Sequence, residues 1–244
     1  MFLKLYPFLC SLIFFLGLEF IMLTREYILL TVFFLLIFSA YHGKKIGKQW
    51  KFSILPIFFT LSSVALLYLV SLFFEQQIFI IISSLMYYFS LLSAYRLNKY
   101  EGDQTAKGMN MAAGAATIFF TYAGAYGLYL NFLVPLYYLI LTYLAVTLLV
   151  SYQYFFLINK TKIIWIYSFI LALVMAELIW SMNFWPFGYL TTGVSALILY
   201  YVLWDIIQSY FLSILNKKRV VTNVILFALM IGLVLVTSKW IPVI

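Results

Sequence analysis

The sequence predicts an all-α integral membrane protein, a polytopic bundle of about nine transmembrane helices forming one domain over residues 1–244 with no soluble domain. Three observations predict it. The chain is 66% hydrophobic and only 9% charged, with a mean hydropathy of +1.09, whereas soluble domains carry about 25% charged residues. It contains nine apolar runs of roughly the 20 residues needed to cross a ~30 Å hydrocarbon core. Between them no connector exceeds roughly a dozen residues, too little for an extramembrane domain.

The first run covers Leu5 to Thr24, and the second Tyr27 to Tyr41, which is short unless His42 and the flanking lysines snorkel. Lys4 ahead of an apolar stretch is the start of a signal peptide pattern, but no small-x-small cleavage site follows, so the run is read as a retained helix. The third run spans Phe52 to Phe74, where Pro56 falls in a first helical turn and removes no helical hydrogen bond. The fourth spans Ile78 to Tyr95. The polar connector RLNKYEGDQTAKG prolongs that helix briefly, turns at Gly102, and leads into the fifth run, Met109 to Phe132. Asn131 and Pro135 mark the break before the sixth, Leu133 to Ile158. Lys162 to Phe184, Phe187 to Leu215 and Val220 to Pro242 complete the set.

Lysine and arginine fix the orientation. Alternate loops place thirteen of the fifteen on one side: Lys4; Lys44, Lys45, Lys48 and Lys51; Arg96, Lys99 and Lys107; Lys160 and Lys162; Lys217, Lys218 and Arg219. Only Arg25 and Lys239 fall on the other. The N-terminus is therefore expected in the cytoplasm, the C-terminus outside, and the protein in the cell membrane, which for a bacterium is the cytoplasmic membrane. The net charge of +8 is the sum of these topogenic loops, which removes the argument for a nucleic-acid partner. Trp50, Trp165, Trp185 and Trp240 lie near expected interfaces, as amphipathic rings do at headgroup depth.

A parallel repeat is suggested, helices two to five matching helices six to nine. Lys51 corresponds to Lys162 and Tyr87-Tyr88 to Tyr200-Tyr201, at a steady offset of about 110 residues. The fifth helix is the one rich in small residues, with Ala112 to Ala116 early and Ala123, Gly124, Ala125 and Gly127 later; such faces allow close backbone approach and place it centrally.

No motif fixes an activity. There is no nucleophile elbow, zinc-protease motif or phosphate-binding glycine loop. One cysteine, Cys10, and one histidine, His42, supply neither an intrachain disulfide nor a histidine cage, and no metal or cofactor is expected. The informative residues are three carboxylates inside spans, because a charge at bilayer depth costs at least ~2.5–3.5 kcal/mol and needs a partner or water. Glu19 and Glu177 each lie fourteen residues into their runs, roughly 21 Å from the inner face, and Asp205 about 13 Å from it. None has a partner nearby in sequence, although Arg25 is the nearest cation to Glu19. Asp205 shares a helix face with Tyr201, Gln208 and Ser209, and Gln153 lies at a similar depth on the sixth helix. These seven residues are the candidate substrate or ion pathway. His42, Lys44 and Lys45 are candidates for holding a lipid phosphate at the inner interface.

Transport or ligand binding through the intramembrane carboxylates is narrowly favoured. A non-catalytic subunit or scaffold of a membrane complex is the alternative, and a lipid-modifying enzyme, lacking evident catalytic groups, stands third. The partners expected are the bilayer and membrane proteins, among them a second copy of the chain, and not nucleic acid.

Overall fold

The computed structural model describes residues 2–132, 134–158, 162–185 and 187–238, with side chains from Leu5 onward. The side chain of Lys4, and Lys160, Pro186, Lys239 and Trp240, lie outside the described residues. The described chain is a helical bundle of nine α-helices: α1 (Phe2–Leu23), α2 (Ile28–Gly47), α3 (Ile54–Leu69), α4 (Phe73–Lys99), α5 (Gln104–Phe132), α6 (Leu136–Ile158), α7 (Ile163–Met182), α8 (Tyr189–Phe211) and α9 (Lys217–Thr237). Short 3-10 turns at Arg25–Tyr27 and Trp50–Ser53 lead into α2 and α3.

Eight of these helices are long and apolar enough to cross a membrane; α5 is not among them. It is the expected fifth span, and its 29 residues reach about 43 Å. Its alanines, glycines, threonines and tyrosines lower its hydropathy. Of these small residues Ala113, Gly114, Ala123, Gly124 and Gly127 are buried, Ala115, Ala116 and Ala125 half-buried, and Ala112 exposed. Pro56 sits in the first turn of α3, Pro135 immediately precedes α6, and the chain turns at Gly102, each as its local chemistry requires.

The chain divides into two compact units, Met1–Phe120 and Thr121–Ile244, with the boundary inside α5. In unit 1, α1 packs on α4, and α2 on both α3 and α4. Because lipid tails are as apolar as leucine, close fit and polar ties hold such helices together more than transfer from water does. The fit is visible where the Phe14 ring stacks on Tyr87 at 4.2 Å, and at Gly17, where an added Cβ would lie 2.8 Å from Leu35 Cδ2. The tie is a buried hydroxyl cluster in which Ser39 Oγ bonds both Thr60 Oγ1 (2.8 Å) and the Tyr87 hydroxyl (2.9 Å). Gly43 brings α2 against the turn before α3, its position for a Cβ being 2.8 Å from the Ser53 Cα, and Ser53 Oγ donates to the Ala40 carbonyl at 2.8 Å.

In unit 2, α6 packs on α7 and α8, α7 on α8, and α8 on α9. Tyr122 and Tyr143 stack at 4.0 Å and nearly parallel; the Tyr122 hydroxyl meets Thr147 Oγ1 at 2.8 Å, and Tyr143 donates to the Tyr122 carbonyl. Ser151 Oγ and the Tyr200 hydroxyl are 3.2 Å apart.

Each unit, taken separately, contains matching ties whose spacings agree to within one residue. Ser39 and Tyr87 join α2 to α4; Ser151 and Tyr200, their counterparts at the repeat offset, join α6 to α8. Asn110 Nδ2 donates to Ser93 Oγ at 3.1 Å between α5 and α4. Asn223 Nδ2 donates at 2.7 Å to Oδ2 of Asp205, and this pair follows Asn110 and Ser93 by that same offset. The helix caps repeat too. Asp103 Oδ1 accepts from the Ala106 backbone N–H (3.1 Å), and at the matching position Asn216 Oδ1 accepts from that of Arg219 (2.8 Å). Three matched interactions, at offsets of 112 to 113 residues, support the repeat that two lysines and two tyrosine pairs suggested.

Candidate functional site

Asp205 lies six residues before the end of α8, and Asn223 six residues after the start of α9. In an antiparallel hairpin equal distances from the turn bring two residues level, here about 9 Å from the helix ends. Arg219, one turn nearer the connector, reaches the same carboxylate: its Nη2 is 2.7 Å from Oδ1 and its Nε 3.1 Å from Oδ2, the two-pronged geometry suited to guanidinium and carboxylate. Asp205 is 7% exposed. The sequence reading that no partner lies nearby is therefore corrected: the partner is fourteen residues on, across the turn. Asp205 is also shallower than the expected ~13 Å.

The neighbours expected along this face divide. Ser209 is buried on it. Gln208 accepts from the Tyr154 hydroxyl at 3.5 Å, and Gln153 is buried on α6. Tyr201 instead turns outward, 40% exposed, alongside Trp204. Among the residues of α9, Asn223 is the buried one and the apolar remainder is largely exposed. The polar triad Asp205–Arg219–Asn223 ties α9 to α8.

The other two carboxylates stand elsewhere. Glu19 accepts from Gln77 Nε2 of α4 at 3.2 Å, and not from Arg25. Glu177 is exposed on α7 within an apolar strip containing Phe169, Ile170, Leu173 and Trp180, about 8 Å short of the helix end. Each carboxylate has its own surroundings: Asp205 the Arg219–Asn223 pair, Glu19 the Gln77 amide, and Glu177 an exposed apolar strip.

The second predicted group, His42, Lys44 and Lys45, lies together near the end of α2. His42 Nδ1 lies 2.6 Å from the Tyr6 hydroxyl, joining α2 to α1. Lys45 Nζ sits 5.2 Å over the Tyr6 ring and 5.5 Å over Tyr41; Lys44 Nζ sits 4.0 Å over Trp50. Sequence reasoning identified His42, Lys44 and Lys45 but missed Lys48 and Lys99, which share this end of unit 1. Near the end of α4, Arg96 Nε meets Asp103 Oδ2 at 2.7 Å. The cap bond from Ala106 and this arginine hold the Asp103 carboxyl below the usual carboxylate range.

Among the described residues no group of three or more His, Cys, Asp or Glu is placed to hold a metal ion. Neither a curated protein nor a solved structure matches the chain. A family described as "Protein of unknown function (DUF5656)" matches residues 16–237, and the chain belongs to that family.

Proposed function

We propose that this protein is a non-catalytic subunit of a cell-membrane complex, binding a partner helix along the outer face of α7. The observation that carries this reading is the exposed Glu177 carboxylate in an apolar strip at membrane depth. Left against lipid it would cost a few kcal/mol, and a polar or cationic group on a neighbouring helix removes that cost. The surroundings of Asp205 point the same way. A carboxylate holding two guanidinium bonds and an amide bond is committed to joining α8 and α9. A carrier needs a group that can release its ion.

The test is site-specific photo-crosslinking in the membrane, with the probe at Leu173 beside Glu177 and, for comparison, at the exposed Ile81 of α4. A discrete adduct from Leu173 alone, lost in Glu177→Leu, is expected, and its mass tells a second copy from another protein. Proteoliposomes in which the protein dissipates a proton or cation gradient, with Asp205→Asn inactive, would overturn the reading in favour of transport.

A further inference from the structure

The basic end of unit 1 carries an open pocket of about 690 Å³ where the start of α1 and the ends of α2 and α4 meet. Tyr6, Lys45, Lys48, Tyr95, Asn98 and Lys99 line it together with Ile46, so among the described residues its charged lining is three lysines and no carboxylate, although the Lys99 ammonium itself lies 5.3 Å over the Tyr100 ring. None of the three lysines takes part in an ion pair among the described residues. Beside it, sharing Lys45 and Lys48, runs a groove of about 600 Å³ lined by Ile37, Ala40, Tyr41, Lys44 and Trp50 as well. Ile37 lies two turns below Lys44, about 10 Å deeper along α2.

We infer that this pocket binds a phosphate group, with the adjoining groove taking the first part of an acyl chain. Three lysines lining one pocket with no carboxylate among the described residues give it a positive potential, which an anion relieves. Phosphate offers oxygens to all three ammonium groups and to the hydroxyl and amide donors. The backbone carries a second indication. Lys48 closes α2 in the left-handed conformation, φ 56°, at a position that glycine occupies at least cost. A lysine held there spends helix-capping stability to place an amine at the junction of pocket and groove. His42 contributes by anchoring the Tyr6 hydroxyl, which keeps the phenol under Lys45. A lipid headgroup and a free phosphate share this chemistry; the apolar groove favours the lipid.

The purified full chain is titrated with dioctanoyl phosphatidic acid and with dioctanoyl phosphatidylcholine, and bound lipid is counted by native mass spectrometry. A separate arm follows the melting temperature in inorganic phosphate. Phosphatidic acid is expected to bind in preference. Lys45→Ala, Lys48→Ala and Lys99→Ala should each weaken it about five-fold, and together about a hundred-fold. Lys217→Ala and Lys218→Ala in unit 2 should leave it unchanged. Lys48→Gly separates binding from folding, because it should raise the melting temperature while lowering affinity. Saturable stabilisation by inorganic phosphate, abolished by the same three variants, with no preference for phosphatidic acid, would uphold the phosphate site and put its ligand in solution. Equal binding of both lipids with no effect of phosphate, or equal losses from the unit 2 variants, would overturn the inference.

Discussion

The side-chain amide of Asn223 donates to Asp205 across the α8–α9 hairpin just as Asn110, its counterpart in unit 1, donates to Ser93 across α4 and α5. The tie is inherited in form and differs in charge. In unit 1 it is neutral, amide to hydroxyl. In unit 2 a carboxylate replaces the hydroxyl, and Arg219 supplies the countercharge.

Asp205→Leu should therefore release α9. It leaves a guanidinium and an amide without their acceptor, at a cost of about 1–3 kcal/mol. Asp205→Asn, which keeps an acceptor oxygen for Asn223, should cost less. Melting temperatures in detergent rank the two variants, and protease sensitivity confined to α9 and its connector locates the loss. Equal stability of Asp205→Leu and the parent would contradict the role assigned to the triad.

The hydroxyl cluster at Tyr87 and its counterpart at Tyr200 should respond alike to loss of the phenolic oxygen. Tyr87→Phe leaves Ser39 with Thr60, and Tyr200→Phe leaves Ser151 without its tyrosine partner. Each substitution should lower stability by about 1 kcal/mol, the Tyr200 change by more because no second side-chain hydroxyl is shown at Ser151 among the described residues. Denaturation of the two variants side by side checks this.

Glycine replacements should differ sharply by position. Alanine at Gly43 sets a methyl group 2.8 Å from the Ser53 backbone, which cannot turn aside as a side chain can. Destabilisation of about 1–3 kcal/mol is expected. Gly232, with nothing within 4 Å of its Cβ position, should accept alanine with no loss or a gain of up to about 1 kcal/mol.

The pH response of the α4–α5 connector follows from Asp103. Its carboxyl titrates lower in the folded protein than in the unfolded chain, because the Ala106 N–H and Arg96 favour the ionised form. Its contribution is complete above the unfolded value of about 3.9 and is lost as pH falls through the lower folded value. Asp103→Asn retains a cap but cannot ionise. The stability difference between parent and variant should be constant near neutrality and shrink below about pH 4. A difference that grew on acidification would refute the assignment.

Orientation is open to chemical labelling because the chain's one cysteine, Cys10, is buried. A cysteine at Lys99 should react with a membrane-impermeant maleimide only after the cytoplasmic face is opened, and one at Phe184 in intact cells. Both positions are exposed. The reverse pattern would invert the topology.

The apolar runs and their punctuation made the helices legible, because length and hydropathy act locally: Pro56, Gly102 and Pro135 sit where the sequence placed them. The repeat was only partly legible. A spacing shared by two lysines and two tyrosine pairs became convincing through hydrogen bonds between residues 48 and 17 positions apart, such as Ser39 with Tyr87 and Asn110 with Ser93. The partner of Asp205 could have been found by counting equal distances from the α8–α9 turn. Assigning Arg219 to a loop by its charge hid that symmetry. Nothing local distinguishes Glu177 from Glu19, since which side of a helix faces outward depends on neighbours that periodicity cannot identify when every face is apolar.

The charged form of the α8–α9 tie also restricts the order in which its residues can change. An arginine at position 219, in the first turn of a helix beside an aqueous connector, is tolerable with no carboxylate opposite. A carboxylate at position 205 without that arginine is a buried anion left to one amide. Any mutational route that builds the pair one substitution at a time is easiest with the arginine first, and any route that dismantles it is easiest with the carboxylate gone first. The neutral Ser93–Asn110 pair imposes no such order, because losing either member leaves no buried charge.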